Sequence, residues 1–386
     1  MTIHLYAEHL LNIRAISIQA ALSTASNKET RATLSSDGSL VTLSHEGETA
    51  SIKLPISIPG GHNAAPLTIP AAPTKDLSFR VQLQQKSDSS GLLTNGVQQD
   101  DNIVPWSATS LTTDARFSCV HCRQTLLESG TVRIWKDLPS ENWAEMMDFW
   151  HCHRPHVPDQ NHQTLAKGYS ADSTLALAPG VGMVDPVDFV LAREDCPNLQ
   201  ISFARDGQGV EASQLECNSC HTILGHIHTS GGYKLRKLHL ALSSSSTQGH
   251  ESFAVEKWWS CLLLSSIECQ GVRKFTAQST GGSSQGLKLW VFSPDMTVST
   301  SAGNITEPLR ASKVFWQDCD IASQDIGALN RQMLAEGELE LPPDEMAELR
   351  DKLKSSAELL PENARKFQNW KVAILPRFTY ADLPMN

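Results

Sequence analysis

Apolar and polar positions alternate with a period of two through the first 85 residues or so. "SFRVQLQ" sets Phe79, Val81 and Leu83 on one face and Arg80, Gln82 and Gln84 on the other, which predicts a strand with one buried side. "SSDGSLVTL" adds a turn signal at Asp37-Gly38 that leads into a second alternating run. Residues 1–105 therefore read as an antiparallel β module, and its last part, "QQKSDSSGLLTNGVQQDDN" (84–102), loses the period and reads as a linker. A central region, 106–245, ends at the low-complexity bridge "SSSSTQGH" (243–250). Beyond it the period changes. "ESFAVEKWWSCLLLSSIEC" is apolar over helical length, which predicts core packing for Trp258, Trp259, Cys261 and Cys269. "PPDEMAELRDKLKSSAELL" opens on proline and acids and then repeats Met346, Leu349 and Leu353, the signature of a helix start and its buried stripe. With the strand-like "GLKLWVFS" and "NWKVAILP", residues 246–386 read as an α+β region.

Charge and cysteine content narrow the chemistry. At 386 residues the chain suggests two or three domains, and its net charge is −10. Its one basic stripe is "KLRK" at 234–237, which disfavours direct nucleic-acid binding, because phosphate backbones are held by extended basic surface. There is no apolar run of membrane-spanning length, and "MTIHLYAEHLL" carries Glu8 where a secretory signal would be apolar, so a soluble intracellular protein without membrane contact is expected. No phosphate-binding glycine loop and no nucleophile elbow is present: "STGGSSQG" lacks the Lys-Ser/Thr ending and reads as a turn.

Four of the nine cysteines form an internal echo. "FSCVHCRQTLLESG" and "LECNSCHTILGHIH" both contain Cys-x-x-Cys-x-x-x-Leu. Each pair suits a tight knuckle, and two knuckles complete the closed four-thiolate shell of structural zinc, so Cys119, Cys122, Cys217 and Cys220 are assigned to one ion. The separation by residues 123–216 is no obstacle, since a sheet can bring distant knuckles together. His121 and His221 flank the pairs as substitute ligands or as solvent-facing side chains, and buried reduced dithiols or separate redox motifs are the competing account of the cysteines. The spacing, with Leu224-Gly225 and "GGYKLRKLHL" following, is similar to the zinc-pinned β architecture of the Yippee and cereblon-type modules. The predicted fold class is thus α+β and β-rich, with an N-terminal antiparallel β module, a central zinc-pinned β-sheet region and a C-terminal α+β region.

"NWAEMMDFWHCHRPH" (142–156) is a second concentration of ligating residues. Ser140 is the expected N-cap and Glu141 lies in the first turn, after which Trp143, Met146, Met147 and Trp150 follow at helical spacing. Pro155 stops the helix near His151-Cys152-His153. The carbonyl end of a helix disfavours a thiolate, which opposes a catalytic role for Cys152. Three roles stay open: a self-contained zinc site with His151, Cys152, His153 and His156, a structural cluster, or a ligand offered to a partner's metal.

"LPSENWAEMMDFWHCH" together with "CVHC" and "CNSC" resembles the HECT-like family of ubiquitin-conjugating-enzyme-binding proteins. The resemblance implies two functions. One is a ubiquitin ligase, or an adaptor, that binds a conjugating enzyme. The other is a factor for the metallo-β-lactamase-type endonuclease of pre-mRNA 3′-end cleavage and polyadenylation, with Cys152 reaching the partner's active-site metal and inhibiting it, and with Trp143, Trp150 and His153 as further partner-binding residues. Cytoplasmic and nuclear localisation is the expectation that goes with it. A HECT-type ligase needs a thioester-forming cysteine near its C-terminus, yet Met346 stands at the matching place and no cysteine follows Cys319. Asp318 and Asp320 beside Cys319 are expected to raise its pKa. No catalytic residue is assigned, and a non-catalytic zinc-containing assembly or regulatory factor is the reading adopted. A third class, a peptide- or small-ligand-binding module of the zinc-pinned type, follows from the sheet architecture.

Overall fold

The N-terminal alternation becomes strands β1 (Ile3–Leu10), β2 (Ala15–Leu22), β3 (Arg31–Leu34), β4 (Leu40–His45), β5 (Glu48–Lys53) and β6 (Asp76–Gln82) in the computed structural model. The structure describes residues 3–83, 102–138, 177–205, 211–245, 249–280, 283–303, 305–321 and 336–383. In β6 every second residue is buried, so Leu77, Phe79 and Val81 line the core as their spacing requires. The chain continues through β7 (Arg116–Cys119), β8 (Thr125–Leu127), β9 (Ile134–Asp137), β10 (Val181–Val184), β11 (Asp188–Leu191), β12 (Leu199–Arg205), β13 (Glu211–Cys217), β14 (Ile223–Ile227), β15 (Tyr233–Arg236) and β16 (Leu240–Ser243). Helix α1 (Val255–Gln270) and strands β17 (Lys274–Ser279), β18 (Gln285–Thr300), β19 (Leu309–Asp320) and β20 (Gly337–Leu341) come next. Helix α2 (Pro343–Ser356) precedes β21 (Lys366–Phe367) and β22 (Trp370–Pro376). The β-rich α+β class is therefore observed. The expected linker 84–102 and the helix over 141–150 lie outside the described residues, except Asn102.

Two compact units result: Met1–Ile103 with Trp259–Tyr380, and Val104–Trp258 with Ala381–Asn386. In the first, a nine-stranded sheet runs β21-β22-β19-β18-β1-β2-β6, with β17 on β18 and β20 parallel to β17. The N-terminal module and the C-terminal region, distinct stretches in sequence, are thus joined by one ladder: Tyr6 faces Thr300 and Glu8 faces Val298. A smaller sheet, β3-β4-β5, shares a core with β1, β2 and β6, built around Leu5, Ile16, Ile18, Leu43 and Phe79. Strand β18 is long because it changes partners at a break in register between Val291 and Met296. Pro294 cannot donate to a ladder, and the break is pinned by a two-pronged Arg310–Asp295 pair at 2.8 and 2.9 Å, with Arg377 2.9 Å from the same carboxylate. Helix α2 starts as expected, with Pro343, Asp344 and Glu345 in its first turn and Met346, Leu349 and Leu353 buried.

In the second unit a seven-stranded sheet is ordered β12-β13-β14-β15-β11-β10-β9, antiparallel except for the β9–β10 pair, and a three-stranded sheet is ordered β16-β7-β8. Its aromatic core places Trp106 5.8 Å from Phe117 and 5.5 Å from both Phe253 and Trp258, while Phe117 lies 4.8 Å from Phe189. The chain stays with this unit beyond residue 245, because Leu242 bridges to Glu251 and the Trp106 indole donates to the Glu251 carboxylate at 3.1 Å. Trp258 and Trp259 are buried, as the apolar run implies. Cys261 is buried too, but Cys269 is exposed, because it falls in the last turn of α1, past the residues that pack.

Candidate metal centre

The two cysteine knuckles are the same structure built twice. The first joins β7 to β8 and the second joins β13 to β14. In each, the first cysteine's N–H donates to the carbonyl five residues on, Cys119 to Gln124 at 2.9 Å and Cys217 to Thr222 at 3.0 Å. In each, the residue after the second cysteine donates back, Arg123 to Cys119 at 3.0 Å and His221 to Cys217 at 2.9 Å. Those two donors are left-handed, with φ of 64° and 58°, a conformation non-glycine residues adopt only where surrounding hydrogen bonds hold it. Even the ladders agree: Phe117 faces Leu127 and Leu215 faces Gly225, and each ladder slips by one residue at the next step. The sequence echo is therefore a backbone repeat. At Gly225 a side chain is impossible, since a Cβ would sit 1.9 Å from the Lys234 carbonyl oxygen, so glycine sets the close approach of β14 to β15.

The knuckles meet sulfur to sulfur. Cys119 Sγ lies 3.7 Å from Cys220 Sγ and Cys122 Sγ lies 3.5 Å from Cys217 Sγ, and all four sulfurs fall within 4.8 Å of one another. A tetrahedral ion with metal–sulfur bonds of about 2.3 Å requires sulfurs about 3.8 Å apart, so the four side chains can hold a metal ion. Among the described residues this is the group so arranged. Asn198 ties the hairpins together: its side-chain amide donates to the Thr125 carbonyl at 2.7 Å, and its own carbonyl accepts from Asn218 N–H at 3.2 Å. Val120 N–H donates to the His239 carbonyl at 3.0 Å, which anchors the first knuckle to the segment leading into β16.

The thiols are not equivalent. Burial pushes Cys119 up to about 12 and raises Cys217 also, because both sulfurs are shut away from solvent. Cys220 is lowered to about 6, first by the Thr222 hydroxyl 3.2 Å away. A bound cation would replace the protons of the buried pair, and ligation there would release protons. His121 and His221 are both exposed. The His221 ring nitrogen lies 2.8 Å from the Gln200 amide and 3.6 Å from Glu216, so it has partners of its own outside the sulfur cluster. Asn198 and Thr222 are supports that motif reading missed. The threonine two places after the second cysteine was in plain view, whereas nothing local marks Asn198.

The "KLRK" stripe does not form a surface patch. Lys237 is fully buried, donates to the Trp106 carbonyl at 3.1 Å and stands 4.9 Å over the Phe189 ring. Asp188, also buried, receives Lys234 at 3.2 Å and Arg236 at 3.3 Å. Burial alone would raise the Asp188 carboxyl, but the Arg236 and Lys234 charges together hold it below the usual range. The four residues act as internal struts of β11 and β15, which pair Asp188 with Arg236.

Residues 8–372 match the family model described as HECT-like ubiquitin-conjugating enzyme (E2)-binding. The chain belongs to this family. It is similar to the uncharacterized protein YJR141W of Saccharomyces cerevisiae, 25% identical over 306 residues that make up 78% of this chain and 79% of the relative. It is also similar to the uncharacterized protein C1734.10c of Schizosaccharomyces pombe, 25% identical over 304 residues, covering 72% of this chain and 79% of that one. No solved structure matches it.

In this HECT-like chain the remaining thiols among the described residues are dispersed. Cys196 is buried and pushed up to about 12, mainly by that burial. Cys319, opposite Gly286 at the end of β19, is half-buried, and its pKa is raised first by burial, with Asp318 and Asp320 adding to it against Lys288. The flanking acids are thus a secondary cause of the direction expected. Met346 is 4% exposed in the core-facing side of α2. Trp143, Trp150, Cys152 and His153, the expected partner-binding residues, lie outside the described residues.

Proposed function

We propose that this E2-binding-family chain is a non-catalytic, zinc-containing assembly and regulatory factor whose target is the metallo-β-lactamase-type endonuclease of pre-mRNA 3′-end cleavage and polyadenylation. The ion is zinc, one per chain, held by Cys119, Cys122, Cys217 and Cys220: a closed set of four thiolates suits zinc in a structural site and leaves no open position for chemistry. The observation that carries the reading is that these four sulfurs complete a shell by themselves. Cys152 and its neighbouring histidines are then surplus to the chain's own centre, and Cys152 with His153 is free to reach the partner's metal and restrain it, oriented by Trp143 and Trp150. A thiol becomes a strong ligand when a metal displaces its proton. The factor acts in the cytoplasm and the nucleus.

A second reading, an adaptor or ligase for a ubiquitin-conjugating enzyme, is favoured by the family description itself. Affinity purification of the tagged full chain followed by mass spectrometry separates them. Recovery of the endonuclease, reduced by Cys152→Ala in a chain that retains its zinc, supports the first. Recovery of a conjugating enzyme with no endonuclease overturns it in favour of the second.

A further inference from the structure

A cavity of about 360 Å³ lies within the first unit, on the face of the nine-stranded sheet turned away from the core shared with β3-β4-β5. Its floor is one row of paired residues: Tyr6 of β1 faces Gln19 of β2, and Gln19 faces Ser78 of β6. Successive side chains of a strand alternate, so this row points opposite to Leu5, Ile18 and Leu77, which fill that core. Phe315 and Phe367 form an aromatic wall, and Lys313 and Lys366 supply the cations.

The polar groups of this cavity are not equivalent. Tyr6 and Lys313 are both committed to buried Glu8, whose carboxylate oxygen accepts from the phenol at 3.0 Å and from the Lys313 ammonium. Gln19 is not committed: its amide oxygen is buried and has no hydrogen-bond partner, a state that few buried polar atoms are left in. Lys366 stands opposite Lys371 across the β21–β22 ladder, a like-charge pair, and of the two it is Lys371 that has a carboxylate among the described residues, Asp318 at 2.9 Å. The rings form a file. Phe292 stacks on Phe315 at 4.8 Å and 15°, and Phe315 stacks on Phe367 at 5.3 Å and 24°. Phe315 is buried between its neighbours, whereas Phe367 is 47% exposed, so the file ends at the cavity in a ring able to take one more planar group.

We infer that this cavity binds an adenine mononucleotide, with the base stacked on Phe367 and read by Gln19 and the phosphate held by Lys366. A glutamine amide offers an acceptor and a donor side by side, which match the adenine amino group and N7; guanine offers two acceptors there and would leave the Gln19 oxygen unpaired. Aromatic side chains hold a base by its face. One uncommitted lysine suits a single phosphate, and the volume lies near the lower end of the range of about 300–1,000 Å³ for small-ligand pockets, too little for several nucleotides. A free nucleotide and the end of a single strand share this chemistry, and the net charge of −10 favours the free one. The site is independent of the metal centre and of the endonuclease.

The test is calorimetric titration of the full metal-loaded chain with AMP, GMP, adenosine and a short oligoadenylate. Saturable binding of one AMP per chain is expected, about tenfold tighter than GMP. This comparison needs no variant. Phe367→Ala, at an exposed position of a two-residue strand, should weaken AMP about tenfold. Lys366→Gln should weaken AMP about fivefold and leave adenosine unchanged, because only the phosphate contact is lost. Gln19→Leu should bring AMP and GMP to the same affinity. Absence of saturable AMP binding, equal binding of AMP and GMP by the parent chain, or full AMP affinity in a folded Phe367→Ala or Lys366→Gln chain would each overturn the inference. So would an oligoadenylate that binds about tenfold more tightly than AMP, since the occupant would then be a strand that reaches beyond the cavity.

Discussion

Replacing Cys217 by serine tests the metal centre at one of its two fully buried ligands. The sulfur is fully buried, 3.5 Å from Cys122 Sγ, and a serine oxygen there is both a poorer ligand and too short to hold the same position. Structural zinc contributes about 10–16 kcal/mol of folding free energy in small peptides, or about 2.5–4 kcal/mol for each of four thiolates if they share it equally. The topology gives a second scale. An ion held there would clip two hairpins separated by residues 123–216, and closing a loop of about 100 residues lowers the entropy of the unfolded chain by up to about 4.7 kcal/mol in the chain-entropy account. The two routes agree on about 3–4 kcal/mol, a large share of the roughly 5–15 kcal/mol that holds a domain folded. For a unit of this size, at about 2–4 °C per kcal/mol, the melting point should drop by roughly 6–16 °C. The assay is a thermal melt of the full chain paired with elemental analysis after dialysis, with Cys119→Ser expected to match Cys217→Ser and Cys152→Ala expected to keep both zinc and melting point. A Cys217→Ser chain that retains one zinc and melts within 2 °C of the parent (about 1 kcal/mol or less) would refute the argument.

Asp188→Asn removes the buried carboxylate that Lys234 and Arg236 share inside the second unit and should cost about 3–5 kcal/mol in urea unfolding, read through exchange protection of β11 and β15; a loss below about 1 kcal/mol contradicts the strut role. His226 and His239 are both lowered to about 4, first by burial, so each adds stability that is complete above about pH 6.5 and is lost as pH falls toward 4. At a full shift this is on the order of 3 kcal/mol for each ring, and a flat stability profile between pH 6.5 and 4 would show that neither ring is held neutral in the fold. Mixing a ubiquitin-charged conjugating enzyme with the chain should give no adduct that a reducing agent releases. An adduct removed by Cys319→Ser or by Cys269→Ser, the exposed thiol at the end of α1, would establish a ligase.

What the sequence decided by itself is local. Alternation in "SFRVQLQ" decides which face of β6 is buried, because successive side chains of a strand point to opposite sides. Proline and acids at the head of α2 decide where that helix begins, and the repeated Cys-x-x-Cys decides the knuckle, since two thiolates at that spacing can face one ion. Even the pairing of the two knuckles was legible, because a closed thiolate shell needs four ligands. Tertiary structure alone decided the rest. "KLRK" carries the local marks of a solvated basic patch, and only the arrival of Asp188 from β11 and of the rings of Phe189 and Trp258 makes its burial tolerable. Cys269 belongs to the same apolar run as Cys261, yet what each touches depends on where the helix leaves its unit's core. The ladder from β1 to β18 joins residues almost three hundred positions apart. Pairing of that kind is chosen by the burial of whole faces against one another, a property of the assembled sheet that no single stretch of chain contains.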